Sequence, residues 1–228
     1  LLVAKARGAM RDDAARCATV SELVHAASLI HDDWVDRSAL RHGQPTVNGM
    51  WSDEMAIIMG DYLYAQAMAI LVRHKLGLAM EVMARVVAEM SCGEALEFQH
   101  VRDFEITESR YEEILRAKTG SLIAAATEIG AGLNGGARSP KVRERFRGSG
   151  GAPGVACQIA DDLLDWQGDP QVTGKSVGSD LDEGKVTLPL IAALRESSAA
   201  ERRAMLQLAR RKRRTPAQWQ ELIGRIER

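Results

Sequence analysis

The sequence contains one acidic pattern, Asp-Asp-x-x-Asp, at two widely separated places. In a helix, residues four positions apart lie on one face, so Asp32 and Asp36 present two carboxylates together, as do Asp161 and Asp165. Like charges at this spacing repel each other, and a bound cation is the expected compensation. Carboxylate oxygens suit magnesium, which typically binds one or two carboxylates plus substrate phosphates. The pair of motifs therefore predicts a diphosphate held through metal ions, whereas either motif alone could equally be a solvated acidic helix end.

Basic side chains accompany the acidic motifs, as a diphosphate would require, because magnesium neutralises only part of its charge. They are Arg41 and His42 after the first motif, Lys118 in a later helical stretch, and Lys175 and Lys185 after the second motif. A single lysine is usually solvated surface. Lys118 is different because it interrupts an apolar helical run, and a charge in that position needs a partner.

His25 shares a helical stripe with the first motif. At about 100° per residue, His25, Ser28, Asp32 and Asp36 fall within roughly 80° of one another. Spacing alone leaves two interpretations of His25 open, a residue facing the ligand or an ordinary core or surface histidine.

The elements that carry these residues are predicted to be helices, because helix-forming residues dominate and only 4% of residues are aromatic. Apolar spacing of three and four residues predicts buried helices over 52–72 and 78–100, and further helices over 14–36, 109–129, 155–166 and 187–195. Ser109 with Glu112 forms a capping-box pattern that opens the fourth of these helices along the chain. A short helix is expected from Pro140, followed by a flexible joint over 148–154, a loop over 168–184 and a polar, basic tail. These features predict an all-α fold.

Length and charge restrict the function further. The 228 residues are enough for one domain with a sizeable core. A net charge of -1 provides no field that would attract nucleic acid or an anionic membrane, and the basic run 210–214 lacks the interleaved aromatics of a nucleic-acid site. Three cysteines without a Cys-x-x-Cys pair favour a reducing, cytoplasmic location. No uninterrupted apolar run approaches the ~20 residues of a membrane span, so stable membrane insertion is not expected.

Several phrases of the sequence resemble the trans-isoprenyl diphosphate synthase, or polyprenyl synthetase, family, and in particular its long-chain members. These phrases cover residues 29–36, 41–46, 60–63, 118–120, 158–165, 174–175, 178–181 and 183–189. The resemblance implies a bundle of about ten or more helices around a deep central cavity, usually a homodimer. It also implies a prenyltransferase of isoprenoid biosynthesis that condenses isopentenyl diphosphate with an allylic diphosphate, using three magnesium ions. A product of five or more isoprene units is expected because the residues before Asp32 on or near its helical face, Ser28, Val24 and Ser21, are not aromatic and leave room for a growing chain.

The same resemblance assigns metal ligands. The expected direct ligands are Asp32, Asp36 and Asp161. The other aspartates, expected to complete the metal sites, are Asp33, Asp162 and Asp165.

The resemblance also assigns substrate contacts. The groups expected to hold the allylic diphosphate are Arg41, Lys118 and Lys175, with Lys185 near the same diphosphate. The polar residues expected beside the reacting carbon are Thr119 and Gln158. His25 falls where long-chain members contact isopentenyl diphosphate. His42 replaces the family's second arginine and is expected to bind phosphate more weakly, because imidazole is mostly neutral at pH 7.

Departures from the family pattern leave alternatives open. The family's basic Gly-Lys-x-x-Arg-Pro stretch would precede Leu1, and the usual C-terminal region is expected to be incomplete, so residues 1–228 are interpreted as a single synthase domain without these parts. A class I terpene cyclase shares the first motif, but Lys175 and the second Asp-Asp-x-x-Asp speak against it. A non-catalytic subunit of a heteromeric synthase is the other alternative; such a subunit would not need six intact aspartates.

Overall fold

A computed structural model describes residues 1–8, 12–41, 43–133, 139–167 and 177–227. The chain divides into two compact units. Unit 1 comprises Leu1–Cys92 and Arg116–Val155, and unit 2 comprises Gly93–Leu115 and Ala156–Arg228. The assignment of residues 1–228 to a single domain stays a prediction.

Helices account for nearly all regular structure in the described residues, which confirms the all-α prediction. They are α1 (Leu2–Ala6), α2 (Asp12–Val35), α3 (Val47–Met50), α4 (Asp53–Arg73), α5 (Gly77–Gln99), α6 (Glu108–Leu115), a π-helical segment (Arg116–Gly120), α7 (Ser121–Gly132), α8 (Pro140–Gln167), α9 (Ser179–Glu183), α10 (Leu188–Glu196), α11 (Ala199–Ala209) and α12 (Pro216–Ile226). Two short antiparallel strands, β1 (Leu40–Arg41) and β2 (Gln44–Pro45), form a hairpin in which Arg41 pairs with Gln44.

The helix predicted over 109–129 is divided in two by the π-helical segment. Its N-terminal cap is also different from the prediction, because the Thr107 hydroxyl accepts the hydrogen bond from the Arg110 N–H, and Ser109 lies inside α6. A π-helical turn within an α-helix is rare and frequently marks a functional site. Here it carries Lys118 and Thr119.

The predicted short helix, flexible joint and following helix form one continuous helix, α8. Two glycines of the predicted joint, Gly150 and Gly154, are packing positions. A Cβ atom at Gly150 would lie 2.2 Å from the Thr127 hydroxyl oxygen, and one at Gly154 would lie 3.0 Å from the Gly120 Cα. Thr127 also donates a hydrogen bond of 2.7 Å to the Phe146 carbonyl. The glycines therefore let α8 approach α7 and the π-helical segment closely, which local sequence rules interpret as flexibility.

Each unit has its own buried apolar residues. The core cluster of unit 1 is built from small and medium side chains of α2, α4, α5 and α7, including Val24, Leu71, Met83 and Ile129. In unit 2, Leu181, Leu190, Met205 and Leu222 are fully buried. The tail that was described only as polar and basic also contributes Met205 and Leu222 to these buried residues. Its residues form α11 and α12, which are opened by capping boxes at Ser198 and Thr215.

Helix α4 was predicted to be buried on all sides, but one of its faces is exposed. Among the described residues it alone has the length and apolar composition of a possible membrane span, and 22% of that stretch is buried. Core helices of soluble proteins meet the same criterion. The exposed face runs along Met55, Ile58, Tyr62, Ala65 and Ala69.

Candidate active site

The first acidic motif lies at the C-terminal end of α2 in unit 1. Asp36 follows the last helical residue, but its N–H still donates to the Asp32 carbonyl at 2.8 Å. This bond continues the helical turn, so Asp36 lies one turn beyond Asp32, as the spacing predicted. Both residues are partly exposed.

Asp33, the middle residue of the motif, is buried and bound within the protein. The Arg41 Nε donates to its two carboxylate oxygens at 2.9 and 3.1 Å, and an Nη atom lies 2.9 Å from Oδ1. A forked contact of this kind is among the stronger charge-assisted interactions in proteins. Asp33 therefore fixes the orientation of Arg41. The roles of Asp33 at the metal and of Arg41 at the diphosphate stay predictions.

Lys118 lies near the first motif. Its Nζ is 3.9 Å from the Asp32 Oδ2, and both side chains are mostly shielded from solvent. The partner that the sequence argument required for Lys118 is thus an aspartate of the first motif. Thr119 follows in the same π-helical segment.

Helix α4 packs against the first motif through His31. The His31 Nε2 lies 3.2 Å from the Ile57 carbonyl oxygen and 3.7 Å from the Asp61 Oδ1. A Cβ atom at Gly60 would meet Nε2 at 2.1 Å, so only glycine admits the imidazole here. Burial, followed by the charges of Asp32 and Asp61, raises the pKa of the Tyr64 phenol.

The second motif lies near the C-terminal end of α8, in unit 2. Asp161 is exposed, whereas Asp162 is buried, with 5% of its surface exposed. The Tyr111 hydroxyl donates to the Asp162 Oδ2 at 2.5 Å, and the Gln158 amide donates to Oδ1 at 3.0 Å. Burial raises the pKa of Asp162 and that of Tyr111, and the Asp162 charge adds to the effect on Tyr111. The middle aspartates of the two motifs are thus both buried and bound by neighbouring side chains.

Asp165 is bound by the turn that begins α9. The Ser179 hydroxyl and N–H donate to its Oδ1 at 2.5 and 3.1 Å, and the Asp180 N–H donates to its Oδ2 at 3.2 Å. Both carboxylate oxygens therefore accept hydrogen bonds from the chain itself.

Asp180 and Lys185 complete the described part of this region. The Lys185 N–H donates to the Asp180 carbonyl at 2.7 Å, and the Lys185 Nζ lies 2.9 Å from a Glu183 carboxylate oxygen. Burial raises the pKa of Asp180 to about 7, and the nearby charges of Asp165 and Asp162 add to the effect.

The donor set formed by the aspartates of the two motifs suits a hard divalent cation whose other ligands come from substrate phosphates. All of its donors are carboxylate oxygens; burial is the main cause of the raised pKa of Asp180, and the charges of Asp165 and Asp162 that add to it are ones that a cation would offset. In the described part of the chain, no three His, Cys, Asp or Glu side chains form a complete metal site. Magnesium needs only one or two carboxylates where substrate phosphates supply further ligands.

Three of the expected substrate contacts are less well defined by the structure. His25 is exposed on α2, and its carbonyl accepts a hydrogen bond from the Ser28 hydroxyl at 2.8 Å. His42 and Lys175 lie outside the described residues.

Sequence reasoning missed Tyr111, Ser179 and Asp180. A signal existed for Tyr111, which precedes Ile114 and Leu115 at helical spacing, because a buried tyrosine hydroxyl usually needs a hydrogen-bond partner. No local signal identifies Asp162 as that partner, since it lies 51 residues further along the chain.

Comparison with known proteins places the chain in a family. The family model described as polyprenyl synthetase matches residues 1–226. An all-trans-nonaprenyl-diphosphate synthase (geranyl-diphosphate specific) of Rhodobacter capsulatus is 40% identical over 189 residues, covering 83% of this chain and 57% of that protein. A short chain isoprenyl diphosphate synthase of Methanothermobacter thermautotrophicus is 38% identical over 212 residues, covering 91% of this chain and 65% of that protein.

A solved structure agrees with these relatives. The polyprenyl synthase from Caulobacter crescentus, complexed with calcium and isoprenyl diphosphate, superposes with a TM-score of 0.90 at 34% identity, covering 99% of this chain and 68% of that one. The chain thus spans about two thirds or less of the length of these relatives. With a match over nearly its whole length, the chain belongs to the polyprenyl synthetase family.

Proposed function

We propose that this chain is the catalytic part of a trans-polyprenyl diphosphate synthase. It would condense isopentenyl diphosphate with an allylic diphosphate to a product of five or more isoprene units. Family membership supports the reaction type. The observation that carries the proposal is the common arrangement of the two motifs. In each, the middle aspartate is buried and bound internally, while Asp32 and Asp36 in one and Asp161 in the other keep solvent access.

The metal part of the proposal is three magnesium ions, bound by Asp32, Asp36 and Asp161. Asp33 and Asp162 would hold the two motifs in place from within. When bound, magnesium supplies charge neutralisation for the departing diphosphate.

The basic residues act on the same leaving group. Lys118 and Arg41, with Lys175 and Lys185, would stabilise negative charge on the allylic diphosphate as its C–O bond breaks. Thr119 and Gln158 would face the reacting carbon. The double bond of isopentenyl diphosphate, held by His25 and His42, then attacks the allylic cation, and the released diphosphate accepts the proton that is lost. The site must exclude water, since water would quench the cation.

The relatives include both a nonaprenyl and a short chain synthase, so the proposed product length depends on residues of this chain. The residue types on α2 support a long product. Ala27 and Ser28 precede the first motif by about one turn, and neither has a ring that would stop a growing chain.

We also propose that the protein is a homodimer through the exposed face of α4. Large side chains (Met55, Ile58) lie toward one end of this face, and Ala65 and Ala69 lie toward the other. An antiparallel copy of the helix about a two-fold axis would place large residues against small ones. Light scattering should show a dimer that Ile58→Glu dissociates, whereas Leu40→Glu, at an exposed site outside this face, should leave it intact. Equal masses for the two variants would contradict the assignment.

A cytoplasmic location is proposed from cysteine chemistry. Cys17, Cys92 and Cys157 are all free thiols. Free thiols without disulfides are typical of a reducing compartment.

The experiment that tests the function is product analysis by mass spectrometry. The purified protein is incubated with magnesium, isopentenyl diphosphate and allylic primers of different length. A synthase yields prenyl diphosphates longer than the primer, a terpene cyclase yields hydrocarbon without using isopentenyl diphosphate, and a non-catalytic subunit yields neither. Asp32→Asn and Asp161→Asn should each abolish elongation while the circular dichroism spectrum is unchanged. Near-normal elongation in either variant would overturn the metal assignment.

A further inference from the structure

The turn that binds Asp165 packs against a tryptophan of α12. Gly178 precedes this turn with a φ of 77°, in the left-handed region that favours glycine. A Cβ atom at Gly178 would lie 2.1 Å from the Trp219 Cη2, so the indole lies directly against the backbone of the turn. The Gly178 N–H donates to the Asp165 carbonyl at 2.8 Å.

The same indole contacts the residue that follows Asp165. The rings of Trp219 and Trp166 lie 5.9 Å apart at 70°, an edge-to-face arrangement. Trp166 is buried, and its Nε1 donates to the Thr187 hydroxyl at 3.1 Å. Trp219 therefore touches Gly178, which donates one of the hydrogen bonds that close the turn onto α8, and Trp166, the neighbour of the residue that accepts it.

Arg214 holds Trp219 in this position. The side chain of Arg214 is fully buried, and its guanidinium carbon lies 4.4 Å from the centre of the Trp219 ring. It donates to the carbonyls of Leu208 and Ala209 and forms an ion pair with Asp182 of α9. A buried guanidinium with all these partners has little freedom, so the cation–π contact restrains the indole.

We propose that Trp219 is a positioning residue for the second acidic motif. It holds the Gly178–Asp180 turn on α8, where the turn supplies three hydrogen bonds to the Asp165 carboxylate. Because the Asp180 carbonyl also accepts the Lys185 N–H, the same contact sets the start of the segment that carries Lys185. Asp165 is accordingly an anchor for this turn, and Trp219 acts on the diphosphate through Lys185. This catalytic consequence rests on the function proposed above.

Packing of α12 does not by itself explain Trp219. Leu222 of the same helix is completely buried, whereas Trp219 is partly exposed. Leu222 thus supplies the apolar anchor of α12, and Trp219 contacts the turn. The two residues form a matched pair for experiment, because truncating either removes a large apolar side chain from α12 but only one of them touches Gly178.

The direct test is amide hydrogen exchange of the metal-free protein, resolved for Ser179 and Asp180. Trp219→Ala should speed exchange at these amides about tenfold, since an edge-to-face pair and a cation–π contact are both lost. Trp219→Phe, which retains a ring, should stay within about threefold of the wild type. Leu222→Ala should change exchange across unit 2 without singling out these amides. Should Trp219→Ala be poorly folded, Gly178→Ala tests the same contact from the other side and should also speed their exchange.

Kinetics provide the second measurement. Trp219→Ala should raise the KM for the allylic diphosphate several-fold, and Trp219→Phe should restore it, while Leu222→Ala should lower the melting temperature with the KM nearly unchanged. Exchange at Ser179 and Asp180 within twofold of the wild type in both Trp219→Ala and Gly178→Ala would overturn the proposal. So would faster exchange together with an unchanged KM. A wild-type protein without prenyltransferase activity would refute the proposed function, and the exchange data would still decide whether Trp219 holds the turn.

Discussion

Removing the Tyr111 hydroxyl tests whether the second motif is anchored from within. Tyr111 donates to the Asp162 carboxylate at 2.5 Å inside unit 2, and the Leu188 N–H bonds the same phenol oxygen. In Tyr111→Phe the ring stays, but the buried Asp162 carboxylate loses one of the two side-chain donors seen in the described part of the chain and keeps the Gln158 amide. The variant therefore separates the hydrogen bond from the packing of the ring.

The expected cost follows from the chemistry of this bond. A hydrogen bond to a charged group contributes about 1.5–3 kcal/mol, and a buried acceptor left without its donor keeps its desolvation penalty. We expect a loss of about 2–3 kcal/mol of unfolding free energy. For a chain of this size, about 1 kcal/mol lowers the melting temperature by roughly 2–4 °C, so the decrease should be about 4–12 °C.

The assay is thermal unfolding followed by circular dichroism at pH 7, without metal. Ser91→Ala is the control, because Ser91 is exposed on α5, outside the proposed dimer face, and its hydroxyl should contribute less than about 0.5 kcal/mol. Asp162→Asn and the double variant complete a cycle that isolates the coupling of the two side chains. A Tyr111→Phe melting temperature within about 1 °C of that of Ser91→Ala would refute internal anchoring of the motif.

Three further predictions follow from the same contacts. Folding raises the pKa of Asp180 from 3.8 to about 7, so the folded chain binds this proton more tightly than the unfolded chain. The protonated Asp180 therefore contributes to stability below pH 4, and this contribution is lost as the pH rises through 7. Without metal, the unfolding free energy of Asp180→Asn, measured in urea, should therefore equal that of the wild type near pH 4 and exceed it at pH 8 by at most about 4 kcal/mol; a constant difference across this range would contradict the shift. Gly60→Ala should destabilise the chain because its Cβ would meet His31 at 2.1 Å, and adding His31→Ala should restore much of the loss, a rescue that urea unfolding would reveal. Ser28→Phe should shorten the dominant product in chromatographic analysis, and an unchanged distribution would show that chain length is limited elsewhere.

The helices were largely predictable because apolar spacing is local information. The predicted helices 14–36, 52–72, 78–100 and 187–195 agree with α2, α4, α5 and α10 to within about two residues at each end. The helix predictions failed where a residue type occurs in more than one structural role, as glycine does in flexible segments and in close helix packing. Gly150 and Gly154 were interpreted as a flexible joint, yet both permit close helix packing inside α8.

The candidate active site likewise has features that the sequence predicted and features that it did not. Residue types and spacing identified both acidic motifs and Lys118, because carboxylates one helical turn apart and a charge in an apolar helix are unusual enough to require a partner. Spacing placed the first and last aspartates of each motif on one face, but it did not show which carboxylates the protein itself would bind, since all of them share one chemistry in sequence. Arg41, Tyr111 and the Ser179 turn decide which carboxylates are bound within the protein.

The sequence by itself therefore determined the fold class, the family and the chemistry of the donor groups. Each of these depends on patterns that repeat within a few residues or on the order of motifs along the chain. Only the tertiary structure decided that Asp33 and Asp162 are buried, that a π-helical turn places Lys118 near Asp32, and that Trp219 lies against Gly178. These contacts join residues far apart in the chain, and their energies arise from packing and desolvation, which exist only once the chain has folded.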